Sequence, residues 1–360
     1  MITREIIQQI PKVELHTHLD GGVRIPTILE LAQQASVALP ANDERSLHAY
    51  FTQGAKEKSL SLYLKPFSYT IAVMQSKAAL TRVAFEAVED LAADGVVYAE
   101  IRFAPLLHTS ELSASEVVQA VLDGIQKGTR AHRITVGLLL CAMRGESPER
   151  SREVAQLAVA FADRGVVGFD LAGDEIGHPP KDHLSAFQYI RNQNFNITIH
   201  SGEAFGVESI WQAIQICGAH RIGHGVRLVE DMIIDGNRIE EMGSLSSFIL
   251  DRRIPMEMCL SSNVDTGAVP NYAQHPFPIF FRNSFRVFLA SDNRLMSDTT
   301  LSREMELAVK HYGLTLRDLE KITINAMKSA FLHHRQRLTI IYDVIKRGYA
   351  DLRKQYGIQD

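Results

Sequence analysis

His16 and His18 flank Thr17 at the end of the short run that begins at Lys12. In a β-strand, residues two apart project to the same face. Both imidazoles therefore face one way, and the Gly21-Gly22 pair turns the chain directly afterwards. Two imidazoles at one strand end can grip a single metal ion; two hydrogen-bonded histidines are the plainer alternative. What favours the metal is that other apolar runs end in the groups such a site would lack. Ala172-Gly173-Asp174-Glu175, His200-Ser201-Gly202-Glu203, Gly223-His224-Gly225 and Ser291-Asp292-Asn293 each close one.

Three imidazoles and one carboxylate, His16, His18, His200 and Asp292, suit a borderline divalent ion such as zinc. With a coordination position open, such an ion lowers the pKa of water toward neutrality. Glu203 follows His200 by three residues across a glycine and can reach the site without ligating, the placement of a general acid–base carboxyl. His224, between two glycines, can approach closely and orient the attacking hydroxide. Asp292, as ligand and hydrogen-bond partner, completes its aim.

Eight short β-rich runs must carry these groups: Lys12–Leu19, Val96–Pro105, Ile134–Arg144, Val166–Gly173, Asn196–Glu203, Arg221–Val226, Ile254–Asn263 and Phe285–Asn293. Near-continuous apolar runs are what parallel strands buried on both faces look like. Between most of them lie amphipathic stretches: Ala78–Asp94, Ser115–Lys127, Pro148–Arg164, Leu184–Asn192 and Val207–Gly218. Strand alternating with helix over eight units predicts a (β/α)8 TIM barrel. Its catalytic groups come from the carboxyl ends of the strands, where the candidates lie. The segment Arg24–Lys77 is too long for a simple crossover and predicts extra helices over the mouth. Leu314–Asp360 reads as terminal helices. With no repeat or linker, residues 1–360 read as one domain.

Composition narrows the class. Hydrophobic residues at 46% and charged ones at 22% give ample material for a core. The net charge is −4, with no Lys/Arg block that predicts a nucleic-acid face. No apolar stretch approaches the roughly 20 residues of a membrane helix, and Met1–Ile10 lacks a signal peptide's apolar core. Cys141, Cys217 and Cys259 lack CxxC spacing, so neither a disulfide framework nor a thiolate zinc site is expected. A cytoplasmic protein follows. The Asn196-Ile197-Thr198 sequon falls in an expected buried strand and reads as accidental.

Taken together, the motifs resemble the adenosine deaminase family of metal-dependent barrel amidohydrolases. The pieces that carry the resemblance are His16-Thr17-His18-Leu19-Asp20-Gly21, Asp170 to Glu175, His200-Ser201-Gly202-Glu203, Arg221-Ile222-Gly223-His224-Gly225, Ser261-Ser262-Asn263 and Ser291-Asp292-Asn293. They stand in the family's order over nearly the whole chain. The resemblance implies one zinc ion at His16, His18, His200 and Asp292. It implies proton transfer to purine N1 by Glu203, and hydroxide positioned for attack at C6 by His224. It sets the Gly173 N–H against purine N3. The chemistry is coherent, since water adds to an aromatic amidine carbon only when deprotonated while the ring nitrogen gains a proton. The other zinc deaminase plan, with its H-x-E and P-C-x-x-C signature, does not occur here.

Two positions bear on the substrate. Relatives acting on free adenine carry Glu where this chain has Asp20, which in the family's nucleoside deaminases contacts the ribose. Asn293 replaces the common Asp bonded to purine N7, as in a bacterial subset. The resemblance thus implies deamination of adenosine and 2′-deoxyadenosine to inosine and deoxyinosine, in purine salvage or catabolism, with a small purine nucleoside as partner. The rivals are a deaminase of adenine or of a modified adenosine, and, from another class, an inactive zinc-barrel nucleoside-binding protein. Glu203 and His224, which a structural metal does not require, argue against inactivity. Two-metal amide hydrolases on this barrel place a modified Lys at the fourth strand's end, where Asp170-Leu171-Ala172-Gly173 offers none.

Overall fold

In the computed structural model, which describes residues 2–54, 56–236 and 238–358, the apolar runs form eight parallel strands. They are β1 (Lys12–His18), β2 (Val96–Phe103), β3 (Thr135–Met143), β4 (Val166–Ala172), β5 (Thr198–Ser201), β6 (Arg221–His224), β7 (Met256–Met258) and β8 (Val287–Leu289). Strands β1 to β4 pair in chain order, as do β5 to β8. Two parallel bridges, Phe169 with Ile197 and Thr17 with Asp292, close the halves into a ring. This is the (β/α)8 barrel that the strand–helix alternation predicts.

The outer helices follow from local chemistry. Ser76, Ser113 and Ser147 each accept a hydrogen bond from a first-turn N–H, and Ser113 forms a capping box with Glu116. The helix Lys77–Ala93 buries Leu80, Val83, Ala84, Ala87, Val88 and Leu91, a stripe at helical spacing. Its neighbour Ala114–Ala131 comes very close because Gly124 lacks a Cβ, which would sit 2.3 Å from the Thr81 carbonyl oxygen.

Several expectations need correction. The seventh strand stops at Met258, and Leu260–Asp265 curls into a short helix. The Asn263 N–H bonds back to the Cys259 carbonyl at 2.8 Å, which turns the Ser262 and Asn263 side chains onto the site. Val207–Gly218 is α-helical only to Trp211, then widens into a π-turn over Gln212–Ile216. An antiparallel hairpin, Met232–Asp235 with Arg238–Met242, was not expected. Asn196 lies just before β5, half-buried, and its side chain donates to the Val167 carbonyl at 2.8 Å.

The segment after β1 holds the expected extra helices, Ile25–Ala35, Glu44–Gly54, Leu60–Tyr63 and Phe67–Val73. The last two roof the barrel mouth. At the C-terminal end, Leu316–Ser329 packs on β8 and β1. All three cysteines are buried, free thiols. Among the described residues, no helix is long and apolar enough to cross a membrane.

Candidate active site

Backbone pairing brings the first ligand candidates together. The Asp292 N–H donates to the His16 carbonyl at 2.8 Å, and the His18 N–H donates to the Asp292 carbonyl at 2.9 Å. Asp292 is thereby wedged between the two histidines, in the left-handed region at φ 57°. A non-glycine residue held there is strained, and such strain concentrates at functional sites. Ser262 donates to Asp292 Oδ2 at 2.6 Å, leaving Oδ1 for the cluster. One ligand-type atom from each of His16, His18, His200 and Asp292 lies within 4.8 Å of all the others. His16 Nε2 and His18 Nε2 are 3.3 and 3.4 Å from Asp292 Oδ1, and His18 Nε2 is 3.2 Å from His200 Nε2.

These residues fit a metal ion. His16 Nε2 and Asp292 Oδ1 are buried and, though 3.3 Å apart, have no well-aligned hydrogen-bond partner, a costly state for protein atoms alone. A cation among them would satisfy both. The far sides of two imidazoles are already fixed: His16 Nδ1 meets Glu257 Oε2 at 2.6 Å, and His200 Nδ1 meets Asp170 Oδ1 at 3.1 Å. A carboxylate behind Nδ1 keeps a proton there and turns the Nε2 lone pair toward a metal. Arg102 joins these carboxylates, donating to Asp170 Oδ2 and Glu257 Oε2 at 2.8 Å each. Arg221 and Thr198 hold Glu257 Oε1 at 2.7 and 2.8 Å. Burial works to raise the Asp170 and Glu257 carboxyls, but His200 and Arg102 beside the first, and Arg102 and Arg221 beside the second, hold both well below the usual range. His224, Cys259 and Asp292 also converge. Burial, reinforced by Asp292, keeps that thiol protonated, a poor ligand state.

Glu203 sits on a loop shaped by another acid. The Glu175 carboxylate accepts from the N–H groups of Gly202, Glu203, Ala204 and Phe205 at 2.7, 3.0, 2.7 and 2.9 Å, and from the Ser209 hydroxyl at 2.5 Å. Gly202, at φ +71°, makes the turn. Glu203 Oε1 accepts from Thr266 at 3.0 Å, and Oε2 lies 3.5 Å from His224 Nε2. Burial, with Asp292 and Glu175 adding repulsion, pushes Glu203 up to about 8. That shift favours its protonated form. His224 takes φ +65°, and burial with the nearby His16 holds it well below the usual imidazole range, hence neutral.

Above these groups opens a cavity of about 390 Å³. His18, His200, Glu203, His224 and Asp292 line it together with Asp20, Gly173 and Asn293, while His16 lies beneath. Asp20 Oδ1 and Asn293 Oδ1 are buried and unpartnered. Burial pushes Asp20 up to about 6. Gly21 makes room for Asn293, since a Cβ there would fall 2.0 Å from Asn293 Oδ1. All the residues singled out from sequence are thus brought to one place. What sequence reasoning missed is their supports: Glu257, Arg102, Thr266, His275, and the parts played by Asp170, Glu175 and Asn263. Glu257 left one signal, an acid between two methionines in a buried strand.

A parallel barrel with imidazoles and a carboxylate converging at its strand ends has the architecture of the metal-dependent barrel hydrolases. Comparison with known proteins narrows that class: the adenosine deaminase family model matches residues 11–347, and the chain belongs to that family. It is 54% identical to an adenosine deaminase of Mycobacteroides abscessus, over 96% of this chain and 97% of that protein. Adenosine deaminase 1 of Streptomyces coelicolor is 50% identical over 98% of this chain and 90% of that protein. An amidohydrolase structure from Burkholderia ambifaria with bound zinc has the same fold, at TM-score 0.86 and 21% identity, covering 99% of this chain and 96% of that one.

Proposed function

We propose that this protein hydrolytically deaminates adenosine and 2′-deoxyadenosine, giving inosine or deoxyinosine and ammonia. The observation that carries this reading is a buried Glu203 beside four converging ligand-type atoms, in a cavity of a size common for small-molecule sites. His16, His18, His200 and Asp292 would hold one zinc ion, the donor set suiting zinc. When bound, the ion supplies Lewis acidity that brings the pKa of water toward neutrality. Glu203 gives its proton to purine N1, which makes C6 electrophilic. His224 orients the attacking oxygen. Asp292 serves the same purpose through its carboxylate, which Ser262 steadies at Oδ2, and Thr266 keeps Glu203 aimed.

The substrate contacts belong to the same proposal. Asp20 accepts from ribose hydroxyls, Gly173 donates its N–H to N3, and Asn293 donates its amide to N7. An amide donates at every pH, whereas a carboxyl donates only when protonated. His18 packs against the purine while ligating. One hydrophobic cluster runs from Ile6 to Leu352, which supports a single working domain over 1–360. A cytoplasmic enzyme of purine salvage is the setting that fits.

An ultraviolet assay over adenosine, adenine, N6-methyladenosine and methylthioadenosine tests the reading, with adenosine expected to turn over fastest. A preference for adenine would move the assignment to a base deaminase, and no turnover at all would favour a binding protein. Elemental analysis should give about one metal equivalent per chain, as a mononuclear site requires. Two equivalents, both needed for turnover, would contradict the mechanism.

A further inference from the structure

Four imidazoles crowd the cavity floor, yet only three are placed as ligands. The fourth, His224, has a different neighbour behind its Nδ1. Where His16 and His200 meet carboxylates, His224 Nδ1 meets the Asn263 amide nitrogen at 3.0 Å. Asn263 Oδ1 in turn lies 3.2 Å from His275 Nε2. His275 Nδ1 accepts from the backbone N–H of Phe277 at 3.0 Å. His224, Asn263 and His275 are 1%, 0% and 1% exposed, so water does not compete for these bonds.

The direction of this chain is fixed at its far end. A backbone N–H is only a donor, so His275 Nδ1 must be the bare, accepting nitrogen. A neutral imidazole then carries its proton on Nε2, and that proton goes to Asn263 Oδ1. The Asn263 amide group is left to donate to His224 Nδ1. Flipping the amide would set the His275 Nε2–H against an N–H donor and leave both unpaired. Backbone bonds hold Asn263 in place: its N–H to the Cys259 carbonyl at 2.8 Å, and the Val269 N–H to its own carbonyl at 3.0 Å.

We infer that His275 and Asn263 are positioning residues that lock His224 in the tautomer with its proton on Nε2. This rests on the deaminase reading for its consequence, though not for its geometry. The locked nitrogen faces Glu203 Oε2 at 3.5 Å. With its proton on Nε2, His224 has no lone pair there. It neither ligates an ion nor removes a proton from water at that nitrogen. It serves as a donor that holds the attacking oxygen. What stands behind Nδ1 thus separates His16 and His200 from His224: a carboxylate makes a ligand, and an amide makes a donor.

Asn263→Asp tests this with little change of shape. A carboxylate can only accept, so it would force the His224 proton onto Nδ1. NMR of the metal-loaded protein, labelled in its histidine nitrogens, reads the tautomer directly. His224 resonances are assigned by their loss in His224→Gln. The wild type should show a bare Nδ1 and a protonated Nε2, and Asn263→Asp should show the reverse. Turnover of adenosine should fall on the order of 10²-fold in kcat, with KM within about threefold and metal content unchanged. His275→Phe, which leaves Asn263 free to turn, should give mixed tautomers and an intermediate kcat. If Asn263→Asp fails to fold, this variant carries the test. A wild-type His224 protonated on Nδ1 overturns the inference, as does full turnover by a variant whose tautomer has reversed. If the wild type holds the Nε2 proton yet deaminates no purine, the relay stands and the deaminase reading falls.

Discussion

Beneath the cavity, His16, Glu257, Arg102, Asp170 and His200 form an unbroken run of charged hydrogen bonds. Above it, Leu60, Leu64, Phe67 and Ile71 from the segment after β1 present mainly hydrocarbon. The floor is made by barrel strands whose backbones pair on both sides. The roof is made by two short helices, Leu60–Tyr63 and Phe67–Val73. Buried charge fixes direction, because each partner removed leaves another unpaired. Apolar surface fixes none, and instead excludes water from what it covers. Chemistry therefore belongs to the floor, and retention of the substrate to the roof.

The floor should respond in kcat. Glu203→Gln keeps shape and hydrogen bonding but has no proton to give to N1. It should lose on the order of 10²-fold or more in kcat with metal content intact. Near-normal turnover would make Glu203 a structural residue. Next in size, Glu257→Gln removes the charge that Arg102 and Arg221 share and the acceptor behind His16. Metal affinity, measured by competition with a chelator, should weaken about 10- to 100-fold. Unchanged affinity would mean that the carboxylate does not orient His16.

The roof should respond in KM. Leu64→Ala removes apolar contact that substrate and transition state share alike. KM should rise roughly 10-fold with kcat little changed. A fall in kcat of that size would show that the roof takes part in the chemistry and would break the contrast.

The smallest effect concerns the tie between the two regions. His108, in the turn after β2, donates through Nδ1 to the Met74 carbonyl at the end of the roof helix, at 3.0 Å. Burial lowers it from the usual 6.5 to about 4, against the opposing pull of that carbonyl. The unfolded chain therefore takes up this proton before the folded one does. Its neutral, buried form adds stability that is complete above about pH 6.5 and lost as pH falls toward 4. The slope is at most about 1.4 kcal/mol per pH unit. Urea melts of wild type and His108→Gln across that window should show a flatter acid limb in the variant. Equal slopes would mean that His108 ionises freely in the folded protein.

Much of this division is legible in the sequence. Strand runs, their polar ends and the long segment after β1 are local patterns, readable from periodicity within a few residues. His224 and Asp292 announce themselves by standing at strand ends beside glycine or serine. The supports do not, because their partners are distant in the chain. Glu257 meets His16 across 241 residues, and Asn263 meets His224 across 39. The extension of β7 failed for a related reason. Leu260-Ser261-Ser262-Asn263 reads as strand by composition, yet tertiary bonds from Ser262 to Asp292 and from Asn263 to His224 accompany its curling inward. Which atom of a histidine is free, and hence which chemistry it does, is set by such contacts alone.

The central claim is that a nucleoside, and not a free base, sits between this floor and this roof. The most direct measurement is kcat/KM for adenosine against adenine, followed by ultraviolet absorbance on the purified protein. Asp20 is buried with an unpartnered oxygen, and a ligand lacking ribose hydroxyls would leave it unpaired. A site built to bond hydroxyls rejects an analogue without them by a large factor, on the order of 10⁴ where the bonds are fully buried. Adenosine should therefore be preferred over adenine by at least about 10²-fold. Equal values, or a preference for adenine, would contradict it.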